Sequence, residues 1–340
     1  MYCHFSKKTE MRYLVTGGCG FIGSNFILKC LEKEKDVRIT NIDAMHIGSN
    51  SMNLENIRNP NYRFVKGNIC NKKLMEKLIE NVDCVINFAA ESHVDRSIKD
   101  AQSFIQSNII GVHTILGILK NKKKIKFLQI STDEVYGELL KGKNLECDEL
   151  NPSNPYSATK ASAEMLVRSY GRTYNLDTII TRCTNNYGPR QFPEKLIPKT
   201  IVSALRNEPI PLHGDGNAKR QWIHVFDHCN ALLKILSRWK KSSIYNISAN
   251  YETTNISLVK KMLKMMNKSE NLLTFVPDRP GQDRRYGINS NLIKKDIGFT
   301  AKIKLEEGLE STIKWYMSNK KWWQNIMFKK ISNPNPQYNA

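Results

Sequence analysis

Two short stretches place proton-transferring side chains together. The segment "STDEVYG", residues 131–137, follows the apolar run 125–130 and sets Asp133 and Glu134 side by side after the hydroxyl of Thr132. Adjacent carboxylates can divide their labour, one keeping its proton as a general acid and the other losing it as a general base. The segment "YSATK" puts Tyr156 and Lys160 at i and i+4, on one face if the stretch is helical. An ammonium beside a phenol lowers its pKa from about 10. Taken singly, the carboxylates also read as a charged loop after a strand, and a Tyr-x-x-x-Lys spacing arises by chance in many helices.

Company gives these residues weight. "TGGCGFIG" places Gly18, Gly20 and Gly23 in the GxGxxG spacing, and Gly17 with Gly20 and Gly23 offers a second, GxxGxxG reading. Such glycines permit a tight turn and close approach of backbone to a pyrophosphate, while the helix that follows offers its first N–H groups to the phosphates. Asp43 ends the next apolar run about 20 residues beyond Gly23, where an acid accepts from ribose hydroxyls and repels a 2′-phosphate. That favours NAD over NADP.

These residues need a scaffold. "RYLVTGG" reads as a buried strand entering a glycine turn, and Phe21, Ile22, Phe26, Ile27 and Leu31 repeat at helical spacing after it. Further strands are expected over 36–43, 62–69, 83–90, 125–131 and 176–183, with a long helix over 156–174. Strands alternating with helices imply an α/β, Rossmann-like, doubly wound parallel sheet, with a smaller C-terminal α/β substrate-binding lobe. The expected organisation is a flexible extension over 1–10, a dinucleotide domain over 11–185 that carries the catalytic residues, a mainly substrate-binding lobe over 186–330 with some segments returning to the first domain, and a disordered tail over 331–340. Translation from Met1 or from Met11 fits equally. The glycine turn, Asp43, "FAAESH", "STDE" and "NNYG" all follow strand ends, so they converge on the cleft where such sheets bind ligands. One condition attaches: successive strand residues face opposite ways, so Thr132, Asp133 and Glu134 reach one substrate only if the strand stops at about Ser131.

Composition narrows the remaining classes. Eight cysteines, at 3, 19, 30, 70, 84, 147, 183 and 229, are scattered without CxxC or zinc-like spacing, so no metal is expected. No apolar stretch approaches the roughly 20 residues of a membrane span, and the N-terminus lacks a signal-peptide pattern; a cytoplasmic protein with free thiols is expected. The net charge of +20, from 52 basic and 32 acidic residues, raises nucleic-acid binding. The basic residues are dispersed in short clusters such as "KNKKKIK" rather than gathered in one arm, which reads as a solvated surface. Neither nucleic acid nor membrane is expected as a partner.

The segments "TGGCGFIG", "FAAESHVDRSI", "STDEVYG", "YSATK", "RCTNNYGPRQFPEKLIP", "RQWIHVFDH", "YNISANYETTN", "VPDRPGQDRRY" and "STIKWYMSNKKWW" together resemble the nucleotide-sugar 4,6-dehydratases of the extended short-chain dehydrogenase/reductase family. The resemblance runs over about residues 11–326. It implies a lyase that oxidises C4 of a nucleoside-diphosphate glucose with a tightly bound NAD, eliminates water across C5 and C6, and returns the hydride to C6. Tyr156 would take the O4 proton, with Thr132 holding O4 and Lys160 binding the nicotinamide ribose. Glu134 would remove the C5 proton and Asp133 would protonate the departing hydroxyl.

The resemblance further implies cofactor contacts at Gly17, Gly20, Phe21, Ile22, Gly23, Asp43, Ala44, Met45, His46, Asn68, Ile69, Ala89, Ala90, Ser107, Tyr156, Lys160 and Asn186. Substrate contacts are implied at Ser92, Thr132, Asn185, Lys195, Leu196, Pro211, His213, Arg220, Asn255, Arg279 and Gln282. Arg220 and Arg279 suit a diphosphate because a guanidinium donates bidentately. The chain departs from the family pattern at Ala44, Asn68, Gln221 and Gln282, positions that flank the nucleotides rather than the proposed acid, base and phenol. dTDP-glucose and UDP-glucose both remain open as substrate. A 4-epimerase would share the glycines, Tyr156 and Lys160 but has no use for the acid and base of an elimination; a nucleic-acid-binding or regulatory protein that retains an NAD domain is the alternative from another class. A homodimer and a role in deoxysugar synthesis, such as that of rhamnose, are also implied.

Overall fold

The computed structural model describes residues 10–332, with side chains through Ile326. From the N-terminus run β1 (Met11–Thr16), α1 (Phe21–Lys33), β2 (Val37–Asp43), β3 (Tyr62–Lys66), α2 (Lys72–Ile79) and β4 (Cys84–Asn87). Next come α3 (Val94–Lys99), α4 (Gln102–Phe104), a π-helical turn over Ile105–Ile110 that leads into α5 (Gly111–Leu119), β5 (Lys126–Thr132), a 3-10 turn over Asp133–Tyr136, α6 (Pro155–Tyr174) and β6 (Thr178–Cys183). The second half holds β7 (Asn185–Tyr187), α7 (Leu196–Arg206), β8 (Ile210–His213), β9 (Lys219–His224), α8 (Val225–Ser237), β10 (Ile244–Ile247) and β11 (Tyr251–Thr254). It ends with α9 (Asn255–Met265), β12 (Leu273–Val276), α10 (Asn291–Ile297), α11 (Leu305–Ser318) and α12 (Lys320–Ser332).

Seven strands form one parallel sheet in the order β10-β6-β5-β4-β1-β2-β3. Its central strands are apolar runs because helices cover both faces. On one face Val15, Ile86 and Leu128 pack with Phe26, Ile27 and Leu232; on the other Leu14, Val85 and Phe127 pack with Met75, Leu116 and Val167. A third apolar cluster, built on Tyr187, Trp222, Tyr316, Trp322 and Trp323, forms the core of the C-terminal lobe. Two small sheets, β11-β9-β7 and β12-β8, belong to the second half of the chain.

The periodicity of the sequence shows six strands of the large sheet; the structure adds β10. Its four residues pair in parallel with β6, and α8, just before it, packs on α1. So short a strand lies below what hydrophobic alternation can resolve. At the chain ends Glu10 pairs with Arg38 at 2.8 Å, and α12 runs to Ser332. The remainder of the expected extension and tail, 1–9 and 333–340, lies outside the described residues. Among the described residues no helix is long and apolar enough to cross a membrane.

Candidate active site

The strand carrying the paired carboxylates ends on Thr132, one residue later than the expected Ser131. The chain then tightens at once into the 3-10 turn over Asp133–Tyr136. Thr132 has extended dihedrals and caps that turn, its Oγ1 accepting from the Glu134 N–H at 3.3 Å. Tightening removes the strand alternation that would have sent Asp133 to the opposite face, and all three side chains line one cavity. Gly137 ends the turn at φ +75°, where a Cβ would stand 2.0 Å from the Asn151 carbonyl oxygen.

Asp133 is 2 % exposed, and its Oδ2 has no hydrogen-bond partner. Burial, and then the charge of Glu134, push its carboxyl up to about 8, against the opposing pull of the Arg220 guanidinium. The aspartate therefore holds its proton far more strongly than an ordinary carboxyl, as a general acid requires.

Helix α6 supplies the phenol and the ammonium. Asn154 caps it in a reciprocal capping box with Ser157, and Pro155 opens its first turn. The Tyr156 phenol and the Thr132 hydroxyl line the same cavity, while Lys160 Nζ donates to the Ile130 carbonyl at 2.7 Å. Here the protein alone reverses the sequence expectation. Burial first, then the charges of Glu134 and Asp133, drive the phenol well above its ordinary value, opposed by the nearby Thr132 hydroxyl. Lys160 itself is pushed down to about 8 by burial, opposed by Glu164.

The glycine turn fits a dinucleotide. Gly17 sits at φ +68°, and a Cβ there would meet Ala89 backbone at 2.6 Å; one on Gly23 would meet the Gly17 carbonyl oxygen at 2.6 Å. Gly20, the residue that caps α1, has no side chain to occupy the first N–H groups of the helix, which are left to an anion. Asp43, at the end of β2, is held by the N–H of Cys19 and Met45 and by the Ser49 hydroxyl at 2.8–2.9 Å. His46 Nδ1 lies 3.3 Å from Glu91 Oε1, and Asn68 Oδ1 accepts from the Cys70 N–H.

A single cavity of about 820 Å³ takes in every residue that the sequence implicates in cofactor or substrate contact, with one exception. The exception is Met45. Its backbone sits at φ +61° with the N–H tied to Asp43, and its side chain packs on the apolar core. Two arginines expected to meet phosphate also have protein partners. Arg220 lies over the Tyr286 ring, 4.4 Å from its centroid, and donates to the Lys219 and Asp283 carbonyls, while Arg279 pairs with Asp95 at 2.8 Å. Lys195 Nζ donates to the Ser92 carbonyl at 2.7 Å. Asn185 Nδ2 and Asn255 Oδ1 are buried without partners along this cavity, as groups built to meet a polar ligand are.

The model of the GDP-mannose 4,6 dehydratase family matches residues 14–312. The chain belongs to the nucleotide-sugar 4,6-dehydratases. A dTDP-glucose 4,6-dehydratase of Streptomyces niveus is 39% identical over 321 residues, covering 93% of this chain and 96% of the relative. A dTDP-glucose 4,6-dehydratase from Bacillus anthracis, solved in complex with NAD, superposes with a TM-score of 0.87 at 42% identity, covering 93% of this chain and 99% of that one. A UDP-glucuronic acid 4-epimerase from Bacillus cereus shares the fold at TM-score 0.86 with 26% identity, covering 91% and 99%.

Sequence reasoning about this dehydratase site does not single out Tyr286, Glu194 or Asn108. Tyr286 lies 4 % exposed against Arg220 and bonds Asp283; Glu194 accepts both outer nitrogens of Arg96. Asn108 sits in the π-helical turn, where its amide joins the Glu91 backbone to the Thr159 hydroxyl. The quoted segments "VPDRPGQDRRY" and "FPEKLIP" contain the first two. Asn108 lies in none, and a π-helical turn has no periodic signature.

Proposed function

We propose that the chain is an NAD-dependent dehydratase that converts dTDP-glucose to its 4-keto-6-deoxy product. The observation that carries the reading is Asp133, buried with its carboxyl pushed up to about 8, next to Glu134 in the cavity that also holds Tyr156. When bound, NAD supplies the hydride acceptor for C4, the hydride donor for C6 and a positive charge beside the phenol. That charge would offset the burial and the neighbouring charges that hold the phenol's proton, so Tyr156 would enter as the phenolate and take the O4 proton as the C4 ketone forms. The ketone acidifies C5–H, and Glu134 removes that proton. Asp133 gives its proton to the C6 hydroxyl, which leaves as water, and Glu134 returns a proton to C5. Tyr156 has then gained the one proton that Asp133 lost, so a single transfer resets the site.

The names of the relatives favour dTDP-glucose, and UDP-glucose is the control substrate. The uptake of a sugar nucleotide and its 6-deoxy product fit deoxysugar synthesis, such as that of rhamnose, in the cytoplasm. Ile105 and Ile110 of the π-helical turn and Met165 of the adjoining α6 are each at least 40% exposed, which supports a homodimer through these helices. Incubating the purified protein with each nucleotide sugar tests the reading. A 4-keto-6-deoxy nucleotide, detected by its absorbance in alkali, is expected from dTDP-glucose; a galactose nucleotide, or unchanged substrate, would overturn it.

A further inference from the structure

A buried polar bridge ties the two catalytic segments together behind the cavity. Tyr136, the last residue of the 3-10 turn that carries Asp133 and Glu134, is 5 % exposed. Its hydroxyl accepts from Arg182 Nη1 at 2.6 Å and donates to Asn246 Oδ1 at 2.9 Å. Arg182, on β6, is 1 % exposed and lies over the Tyr136 ring, 4.7 Å from its centroid. It meets Glu164 twice, through Nε at 2.9 Å and Nη2 at 2.7 Å, and Glu164 is fully buried. Glu164 follows Lys160 by one helical turn and Tyr156 by two, so the three share a face of α6.

None of Tyr136, Arg182 and Glu164 lines the cavity. They nonetheless join the helix that holds the phenol to the turn that holds the acid and base. Tyr136 keeps its proton, because burial raises the phenol to about 12 despite Arg182. Both sides of its hydroxyl are therefore in use, and in the low dielectric of the interior such a network fixes one geometry.

We propose that Tyr136, held by Arg182, Glu164 and Asn246, is a positioning residue that sets Asp133 and Glu134 against the substrate bound at Tyr156. The inference rests on the dehydratase reading. Because the bridge acts on the turn and leaves Tyr156 anchored to its own helix, it affects the elimination rather than the C4 oxidation.

The test uses Tyr136→Phe, which keeps the ring over Arg182 and removes only the hydroxyl, in single-turnover reactions of the NAD-loaded protein with dTDP-glucose. Two rates are followed: the rise of reduced nicotinamide absorbance, which reports C4 oxidation, and C5–H exchange with deuterated solvent, which reports Glu134. A misplaced catalytic group costs on the order of 10- to 100-fold. C5 exchange and product formation should fall by that factor while the rate of C4 oxidation changes less than about threefold, so reduced nicotinamide accumulates. Asn246→Asp, which keeps an acceptor for the Tyr136 hydroxyl and loses only the Nδ2 bond to the Asn144 carbonyl, should leave both rates close to those of the parent. Asn246→Ala, which loses both bonds, should show the same split to a smaller degree and decides the matter if Tyr136→Phe does not fold. In Tyr136→Phe or Asn246→Ala, equal losses in both rates, or no loss in either, would overturn the positioning role. An unsubstituted protein that forms neither reduced nicotinamide nor keto product would instead overturn the dehydratase reading, and this inference with it.

Discussion

Replacing Asp133 by Asn should make the protein more stable and far less active, by amounts that depend on pH in a defined way. The aspartate is 2 % exposed, and its carboxyl is held at about 8, chiefly by burial and then by Glu134. In the unfolded chain it titrates near 4. The folded state therefore binds the extra proton between these values, and the stability this group contributes is full below pH 4 and is lost as pH rises to 8. The loss is about 1.4 kcal/mol per pH unit across that window, or roughly 4 kcal/mol at pH 7. Asparagine has nearly the same shape and no charge to desolvate. Urea unfolding of both proteins at equal NAD content, from pH 4 to pH 9, should give stabilities within about 1 kcal/mol of each other at pH 4. The gap should then widen in favour of Asp133→Asn and level off above pH 8. The same variant should dehydrate substrate about 10²- to 10⁴-fold more slowly, since the leaving hydroxyl loses its proton donor. A gap that is absent, or that narrows as pH rises, would refute the claim that the fold forces this carboxyl to keep its proton.

The other expectations concern neighbouring groups. Glu134→Gln should still form reduced nicotinamide on mixing with substrate but lose elimination by about 10²- to 10⁴-fold; full dehydration by that variant would sink the assignment of the base. Gly23→Ala drives a Cβ to 2.6 Å from the Gly17 carbonyl oxygen, so NAD titration should show an affinity lower by about 1–3 kcal/mol, and unchanged affinity would count against the glycine turn as the cofactor cradle. Glu164→Gln strands the Arg182 guanidinium, 1 % exposed, in the interior. Removing one partner of a buried pair costs about 3–5 kcal/mol, and a urea midpoint close to that of the parent would show that the pair is not held as described.

Much of the sheet is legible in the sequence because β1, β2, β4, β5 and β6 are short segments rich in apolar residues, and β1, β2 and β5 end on Thr16, Asp43 and Thr132. The dinucleotide turn is legible for a related reason. Its requirement is on the backbone, and only glycine tolerates positions such as Gly17 and Gly23. A return of some later segments to the first domain is expected from the sequence, but that it is residues 225–247, adding β10 to the large sheet, is not legible, since four strand residues carry too little pattern and the return depends on α8 packing on α1.

Within the site, residue types and spacing determine which groups are available: two carboxylates after a hydroxyl, a phenol and an ammonium one helical turn apart, and glycines before a helix. What each group does is decided by its surroundings, because ionisation depends on burial and on charges brought close from distant parts of the chain. Spacing alone puts Lys160 beside Tyr156 and predicts a lowered phenol, whereas the fold gives the ammonium to the Ile130 carbonyl and faces the phenol toward two carboxylates. The sequence places Asp133 next to Glu134 as an equal. The tertiary structure separates them, burying Asp133 where its charge has no solvent and its Oδ2 no partner, and that difference in solvation makes one carboxyl an acid.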